Sequence, residues 1–367
     1  MSFAVRFENA DILFPGTQDK RAKRIVQAAL AALDAGQSRA DIITSTGVVL
    51  GAADVNLEIE QGEIFCLMGL SGSGKTTVLR AVNGLNKLSR GKVLIRHGAD
   101  VVDFTAPPPP VLRRLRNQAV SMVFQQFALL PWRTVRRNVE LGLELRKMPK
   151  PAMRKAVDEW LEIVGLLPWA EKHARELSGG MQQRVGLARA LVTNPDILLM
   201  DEPFSALDPL IRNKLQDELI LLQQRVKKTI IFVTHDLDEA LKIGNRIAIM
   251  KDGRVIQVGK PEDIVLRPAT DYVAEFVQHM NPLTAIRATS LMVPATGTFT
   301  ITDGETYSST NPDLPILPPT SLLRDIVDAR QTTGKPVLIG APGGIIGYCT
   351  NAEILSALTH AGRASYK

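Results

Sequence analysis

The chain has 367 residues, of which 45% are hydrophobic and 22% charged, with 27 glycines and 22 prolines. At roughly 150 residues per domain this points to two or three domains, and it excludes a disordered, collagen-like or low-complexity chain. The formal net charge of +6 is a mild bias that a solvated basic surface accounts for as well as a polyanionic ligand does.

No apolar run approaches the ~18 residues that a spanning helix needs; the alanine- and leucine-rich stretch from Ile25 is interrupted by Gln27 and closed by Asp34. The expectation is a chain without a spanning helix. Cys66 and Cys349 are far apart and belong to no C-x-x-C pair, so disulfide and zinc frameworks are excluded. Two isolated cysteines suggest a reducing compartment, and the opening residues have no basic stretch followed by an apolar core, which argues against a secretory signal.

Residues 3–14 are rich in strand formers. Residues 18–50 read as an insertion. It opens on the basic cluster Lys20-Arg21-Ala22-Lys23-Arg24, followed by one helix ending near Gly36 and a second starting at Ser38 with Asp41 as a capping partner. From Val55 to Glu60 apolar and polar residues alternate, as in a half-buried strand. Residues 63–68 are apolar on both faces, as in a fully buried strand, and a helix is predicted over 76–85. The four prolines 107–110 predict a rigid connector. Residues 134–176 read as mostly helical. From 181 to 255 short apolar strands alternate with helices, the pattern of a parallel sheet. The composition changes near 280. Beyond it Thr, Pro and Gly accumulate, and residues 320–360 read helix, strand, Gly turn, strand, helix, with Thr350 and Glu353 boxing the last helix.

Three constellations carry chemistry. Gly69-Leu70-Ser71-Gly72-Ser73-Gly74-Lys75-Thr76 sits between a buried strand and a helix. Its glycines let backbone N–H groups converge on phosphate oxygens, with Lys75 reaching the β- and γ-phosphates and Thr76 a Mg²⁺ ion. In Ile197-Leu198-Leu199-Met200-Asp201-Glu202 a buried strand delivers two carboxylates at its C-terminal end. Asp201 suits the Mg²⁺ shell, and Glu202 suits a general base for water. Leu177-Ser178-Gly179-Gly180-Met181 opens a second helix with small residues, a further anion site. With only one cradle for a triphosphate in the chain, that second turn suits a nucleotide held by another molecule.

In order and spacing, these elements resemble the Walker A, signature and Walker B motifs of ABC-transporter ATPase subunits, over roughly residues 3–280. Val123-Phe124-Gln125-Gln126 resembles the Q-loop, Ser205-Ala206-Leu207-Asp208 the D-loop, and Thr234-His235-Asp236 the H-loop with its switch histidine. Met181 departs from the more usual Gln at that signature position. The resemblance implies an α/β P-loop NTPase with a parallel core sheet, an antiparallel β subdomain and a helical subdomain at about 125–176. The nucleotide-binding domain is expected over 1–280 and a small α+β segment over 283–367, whose part from about 315 resembles one CBS motif, regulatory or dimer-stabilising.

By the same resemblance, ATP is bound by Gly69, Ser71, Gly72, Ser73, Gly74, Lys75, Thr76 and Thr77. Ser178, Gly179, Gly180 and Asp208 of a second copy complete the site in a head-to-tail homodimer. Mg²⁺ is held by Thr76, Gln125 and Asp201, while Glu202, His235, Gln125 and Lys75 carry catalysis. Phe14 matches the family's adenine-stacking aromatic, or is a core residue displaced by the insertion. The absence of spanning helices indicates the separate ATPase of an importer. Partners would be integral membrane permease subunits at the cytoplasmic face of a bacterial inner membrane and, indirectly, a substrate-binding protein, with no nucleic acid. The insertion with Thr46-Gly47, and Gly62-Glu63-Ile64-Phe65 running into the phosphate loop, resembles the glycine betaine/choline uptake subfamily. The stretches 124–135 and 236–245 point to its choline branch. The alternative is a soluble ABC ATPase of DNA repair or translation, which would carry coiled-coil or zinc inserts that this sequence lacks.

Overall fold

The computed structural model describes residues 2–17, 21–125, 128–205, 207–278, 282–284, 286–295, 298–300, 306–308, 313–342 and 344–363. The chain divides into two compact units, residues 1–235 with 248–255 and residues 236–247 with 256–367.

In the first unit, β1 (Phe3–Pro15) is followed by the insertion helices α1 (Ala22–Asp34) and α2 (Arg39–Thr46), then β2 (Val48–Glu60) and the buried β3 (Ile64–Met68). Next come α3 (Lys75–Val82), β4 (Arg90–His97), β5 (Asp100–Asp103), α4 (Pro109–Gln118) and β6 (Val120–Val123). The helical segment holds α5 (Val135–Leu145), α6 (Lys150–Ile163) and α7 (Gly179–Leu191). The chain returns through β7 (Ile197–Asp201), α8 (Pro209–Val226) and β8 (Thr229–Thr234). Beyond α9 (Leu237–Ile243), β9 (Arg246–Lys251) and β10 (Arg254–Gly259) complete a six-stranded sheet in the order β10-β9-β3-β8-β7-β6.

The four strands β3, β8, β7 and β6 run parallel, with Met68 opposite Thr234, Asp201 opposite Val233 and Val123 opposite Met200. Their residues are almost all apolar and buried on both faces, which parallel pairing between helix layers demands. Parallel register puts the C-terminal ends of all four strands at one edge, and the phosphate loop, Gln125, Asp201–Glu202 and His235 each lie at one of those ends, whereas the Ser178 turn opens α7 in the helical segment.

A second, antiparallel sheet has the order β2-β1-β4-β5. Its inner face joins Phe65, Leu67, Val78 and Leu79 in one core with Val5, Phe7, Ile12, Val55 and Ile95. The insertion has a core of its own, in which Ala29, Leu33 and Ile42 pack on Leu13, Val48, Leu50 and Ala53. The helical segment is a third, with Val135, Val139, Leu143, Val157, Leu161, Val185 and Ala188 buried between α5, α6 and α7. Parallel core, antiparallel sheet and helical segment are therefore the three layers that the sequence predicts.

Three details differ from expectation. The helix after the phosphate loop ends at Val82 rather than 85, because Gly84 takes φ 68° and turns Leu85 out to 51% exposure. The proline run is no simple connector: α4 begins inside it at Pro109, since first-turn N–H groups have no helical partner and Pro loses nothing there. The strand expected from Val55 starts at Val48, because Val48, Val49, Leu50 and Ala52 pair with β1 through register shifts that break the simple alternation.

In the second unit α9, α10 (Pro261–Leu266) and α11 (Asp271–Gln278) precede α12 (Ala288–Leu291), β11 (Val293–Pro294) and the hairpin β12 (Thr298–Thr300) and β13 (Thr306–Ser308). Then β14 (Ile316–Leu317), α13 (Leu323–Thr333), β15 (Val337–Ala341), β16 (Gly344–Cys349) and α14 (Asn351–Arg363) form an α+β segment. Its sheet has the order β11-β16-β15-β14, with β14 parallel and β16 antiparallel to β15. The Thr350 backbone N–H and hydroxyl both donate to Glu353, the predicted box.

Candidate functional site

The loop between β3 and α3 is shaped by backbone that side chains would obstruct. Gly74 has φ 103°, and a Cβ there would lie 2.4 Å from the Gly51 carbonyl oxygen; at Gly69, φ 150°, it would lie 2.3 Å from that of Met250. Lys75 is 4% exposed, and its Nζ turns back to donate to the carbonyls of Gly69 at 2.8 Å and Leu70 at 3.0 Å. Burial pushes its amine below the ordinary value, and the charges of Glu202 and Asp201 oppose that shift. The Ser73 hydroxyl is buried and has no partner. A buried polar atom without a partner costs free energy. A buried ammonium held only by carbonyls beside it makes the loop a receptor for an anion. Ser71 and Gly72 are exposed at the rim.

Asp201, 4% exposed at the end of β7, accepts from the Thr76 hydroxyl at 2.7 Å through one carboxylate oxygen. Its other oxygen pairs with Arg80 at 3.1 Å. Thr76 and Arg80 are four residues apart on one helix face, so α3 presents both to the same carboxylate. The sequence reading did not single out Arg80, although that spacing was its signal. Two protein oxygens, from Thr76 and Asp201, are a donor set that fits Mg²⁺, which keeps waters and substrate phosphates for its other positions.

Glu202 follows with φ 44°, a left-handed turn that sends its side chain away from that of Asp201. Its carboxylate lies 3.1 Å from Nδ1 of His235, at the end of the neighbouring strand β8. Gln125, after β6, donates to the Ser205 hydroxyl at 3.4 Å, and that hydroxyl donates to the Glu202 carbonyl at 3.0 Å. The structure thus links Gln125, Ser205, Glu202 and His235 in one polar chain at the edge that carries Lys75, Thr76 and Asp201. Gln126, Phe127 and Ala206 of the quoted motifs, and Lys20 of the basic cluster, lie outside the described residues.

Ser178 is the N-cap of α7, its hydroxyl accepting from Met181 N–H at 3.4 Å. Ser178 and Gly179 are exposed, so this turn opens outward. A Cβ on Gly179 would lie 3.7 Å from Leu207 and one on Gly180 would lie 3.1 Å from Ile211. The small residues therefore let the turn sit against the segment that holds Asp208, which is itself exposed at the start of α8.

Phe14 is 38% exposed at the end of β1, paired with Val49. A Cβ on Gly51 would meet its ring at 2.5 Å and the Thr77 methyl at 2.9 Å. Phe14 therefore lies across Gly51 beside Thr77, the residue that follows the phosphate loop, with part of its ring open to solvent.

Two supports behind the site were not foreseen. Asn138, 0% exposed on α5, accepts from Leu130 N–H at 2.8 Å and donates to the carbonyls of Leu130 and Thr134 at 3.0 Å. It shapes the segment that carries the 69%-exposed Trp132. Arg189 on α7 donates to the Ala128 carbonyl at 2.7 Å, tying the helix that starts at Ser178 to the segment after Gln125. Sequence pattern does not show which loop a buried polar side chain will bind.

A P-loop at the carboxyl edge of a parallel sheet, a two-carboxylate strand end with a facing histidine, and a separate outward-facing glycine turn define an ATP-binding cassette. The family model described as "ABC transporter" matches residues 52–205. The Listeria monocytogenes protein GbuA, a glycine betaine/carnitine transport ATP-binding protein, is 48% identical over 261 residues, 71% of this chain and 65% of its own length. The trimethylamine N-oxide transport system ATP-binding protein TmoW of Ruegeria pomeroyi is 46% identical over 71% of this chain and 75% of its own. The Bacillus subtilis choline transport ATP-binding protein OpuBA is 44% identical over 61% of this chain and 57% of its own. Among solved structures, the ATP-binding cassette MJ0796, a dimer in a post-hydrolysis state with ADP and Pi, is 32% identical with a TM-score of 0.56. That match covers 70% of this chain and 98% of that one. The chain belongs to the ATP-binding subunits of ABC transporters. It spans just under two thirds of the length of GbuA.

Proposed function

We propose that the chain hydrolyses ATP to drive import of a quaternary or methylated amine through separate permease subunits. The observation that carries the hydrolytic part is the Glu202–His235 contact of 3.1 Å at the strand edge that also holds Lys75, Thr76 and Asp201. On this reading Lys75 leaves the carbonyls of Gly69 and Leu70 for the β- and γ-phosphate oxygens, and the Ser73 hydroxyl gains a partner. Phe14 stacks on the adenine, a contact worth ~1–3 kcal/mol. Thr76, Asp201 and Gln125 would hold Mg²⁺, which supplies charge neutralisation on the phosphate oxygens.

Glu202 takes a proton from the water whose oxygen attacks the γ-phosphorus as the bond to the β-phosphate oxygen breaks. His235, oriented by Glu202, faces the γ-phosphate. Ser178, Gly179, Gly180 and Asp208 act on the nucleotide of a second copy, since their turn opens outward. The Trp132 segment, held by Asn138 on α5 and, through Ala128, by Arg189 on α7, carries the change to a permease. That places the chain peripherally at the cytoplasmic face of the membrane.

GbuA and TmoW, named for betaine and trimethylamine N-oxide, match this chain more fully than OpuBA, named for choline. Betaine-like substrates are therefore favoured over the choline branch. A substrate-binding protein would supply the amine, and this chain does not touch it. The test is ATP hydrolysis by the complex reconstituted with its permease and binding protein, comparing glycine betaine, carnitine, trimethylamine N-oxide and choline. Stimulation by at least one of them, abolished by Glu202→Gln, is expected. Hydrolysis indifferent to all four would overturn the import assignment.

A further inference from the structure

Nothing in the chemistry above uses the insertion between β1 and β2, yet it reaches the phosphate loop. Arg39, the first residue of α2, donates from Nη1 to the Gly72 carbonyl oxygen at 2.7 Å. The arginine is held in place from both sides. Ahead of it, Ser38 and Asp41 form a reciprocal capping box, and behind it the helix ends on Gly47 in the left-handed region. Ile42, one turn on, is fully buried in the insertion core. Five residues before Arg39, Asp34 at the end of α1 has both carboxylate oxygens gripped by Arg90 at 2.8 Å, and Arg90 also holds the buried Asp11 of β1 at 2.6 Å. Arg39 is thus mounted on a small domain clamped to the sheet beside the site.

We propose that Arg39 is a positioning residue for the nucleotide, acting through Gly72. The Gly72–Ser73 peptide has its carbonyl on Arg39 and its N–H on the Leu70 carbonyl at 3.1 Å. Both ends of that peptide are therefore held, the N–H by Leu70 within the loop and the carbonyl by Arg39 from the insertion, so Arg39 helps to fix the loop path that lines the cradle. Gly72, at φ 78° with open space where a Cβ would be, adds no side-chain restraint, so the hydrogen bonds to Leu70 and Arg39 are what hold that peptide. Among the described residues Arg39 has no carboxylate partner, so its charge also adds to the field felt by a triphosphate. The inference rests on residues 69–76 being the ATP cradle.

The test compares wild type, Arg39→Ala, Arg39→Lys and Lys75→Ala by ATP affinity, steady-state hydrolysis and hydrogen exchange. Arg39→Ala is expected to raise the ATP dissociation constant about tenfold, the scale of one charge-assisted hydrogen bond, and to raise KM more than it lowers kcat. Arg39→Lys, which still donates to one carbonyl, is expected to recover most of the affinity. ATP is expected to slow exchange in residues 39–46 of wild type and to leave it unchanged in Arg39→Ala. Wild-type affinity in Arg39→Ala, or a loss that Arg39→Lys does not relieve, overturns the proposal. Failure of wild type itself to bind ATP any better than Lys75→Ala would instead overturn the cradle assignment.

Discussion

Glu202 and Asp201 are adjacent in sequence and occupy different surroundings. Asp201 continues the strand and is engaged by Thr76 and Arg80. Glu202, at φ 44°, turns to His235. Gln tolerates the same backbone and the same volume but cannot accept a proton, so Glu202→Gln is expected to cut ATP turnover by ~10²–10⁴ while nucleotide binding persists. Phosphate release alongside equilibrium binding checks this, and unchanged turnover would remove Glu202 from its role. A second carboxylate is perturbed for a plainer reason. Glu140 is 8% exposed on α5, and burial raises its pKa despite Arg137 at 3.8 Å. A raised carboxyl binds its proton more tightly in the folded state. Its stabilising effect is complete below the ordinary carboxylate range and is lost as pH rises through the raised value. Glu140→Gln is therefore expected to be more stable than wild type at neutral pH. Denaturant titrations should show that gap closing as pH falls toward 4.

At the scale of elements, loops at the strand ends work because helices hold them. Asn138 is the clearest instance: one fully buried side chain on α5 satisfies four backbone groups of residues 130–134. The three carbonyls keep backbone partners in Arg133, Ala174 and Asn138 N–H, but Asn138→Ala leaves the Leu130 N–H without its acceptor and is expected to cost about 1–3 kcal/mol. The urea midpoint should fall accordingly, and protease cleavage near 130–134 should appear before cleavage elsewhere in the first unit. A stability loss under about 1 kcal/mol would mean that water or the remaining turn satisfies the segment. The Arg39 and Arg189 contacts follow the same logic, since each ties a catalytic loop to a helix with its own apolar core.

For the whole molecule, the proposed function makes the exposed Ser178 turn and the buried Lys75 loop halves of different sites. In a head-to-tail pair, a copy carrying Lys75→Ala still offers a sound signature turn, and a copy carrying Ser178→Arg still offers a sound phosphate loop. Each variant alone is expected to be inactive. Their mixture is expected to regain hydrolysis, because each mixed dimer holds one intact site. Losing the Ser178 cap costs only about 1 kcal/mol, so both variants should fold. A mixture as inactive as its components would show that the turn does not serve a neighbour's nucleotide.

The amino-acid order alone determined the motifs, their alternation with buried strands and hence the layered architecture, because chemistry that needs adjacent residues and short periodicities is written locally. Gly69 to Thr76 could be assigned from eight consecutive letters, and so could the strand that ends in Asp201. Tertiary structure decided what depends on approach between distant segments. It closed Glu202 onto His235, put Arg80 on Asp201, laid Phe14 across Gly51, and brought Arg39 from the insertion to Gly72. Those contacts span tens to well over a hundred residues of chain, and each depends on strand register, helix phase and the packing of separate cores, none of which a local pattern specifies.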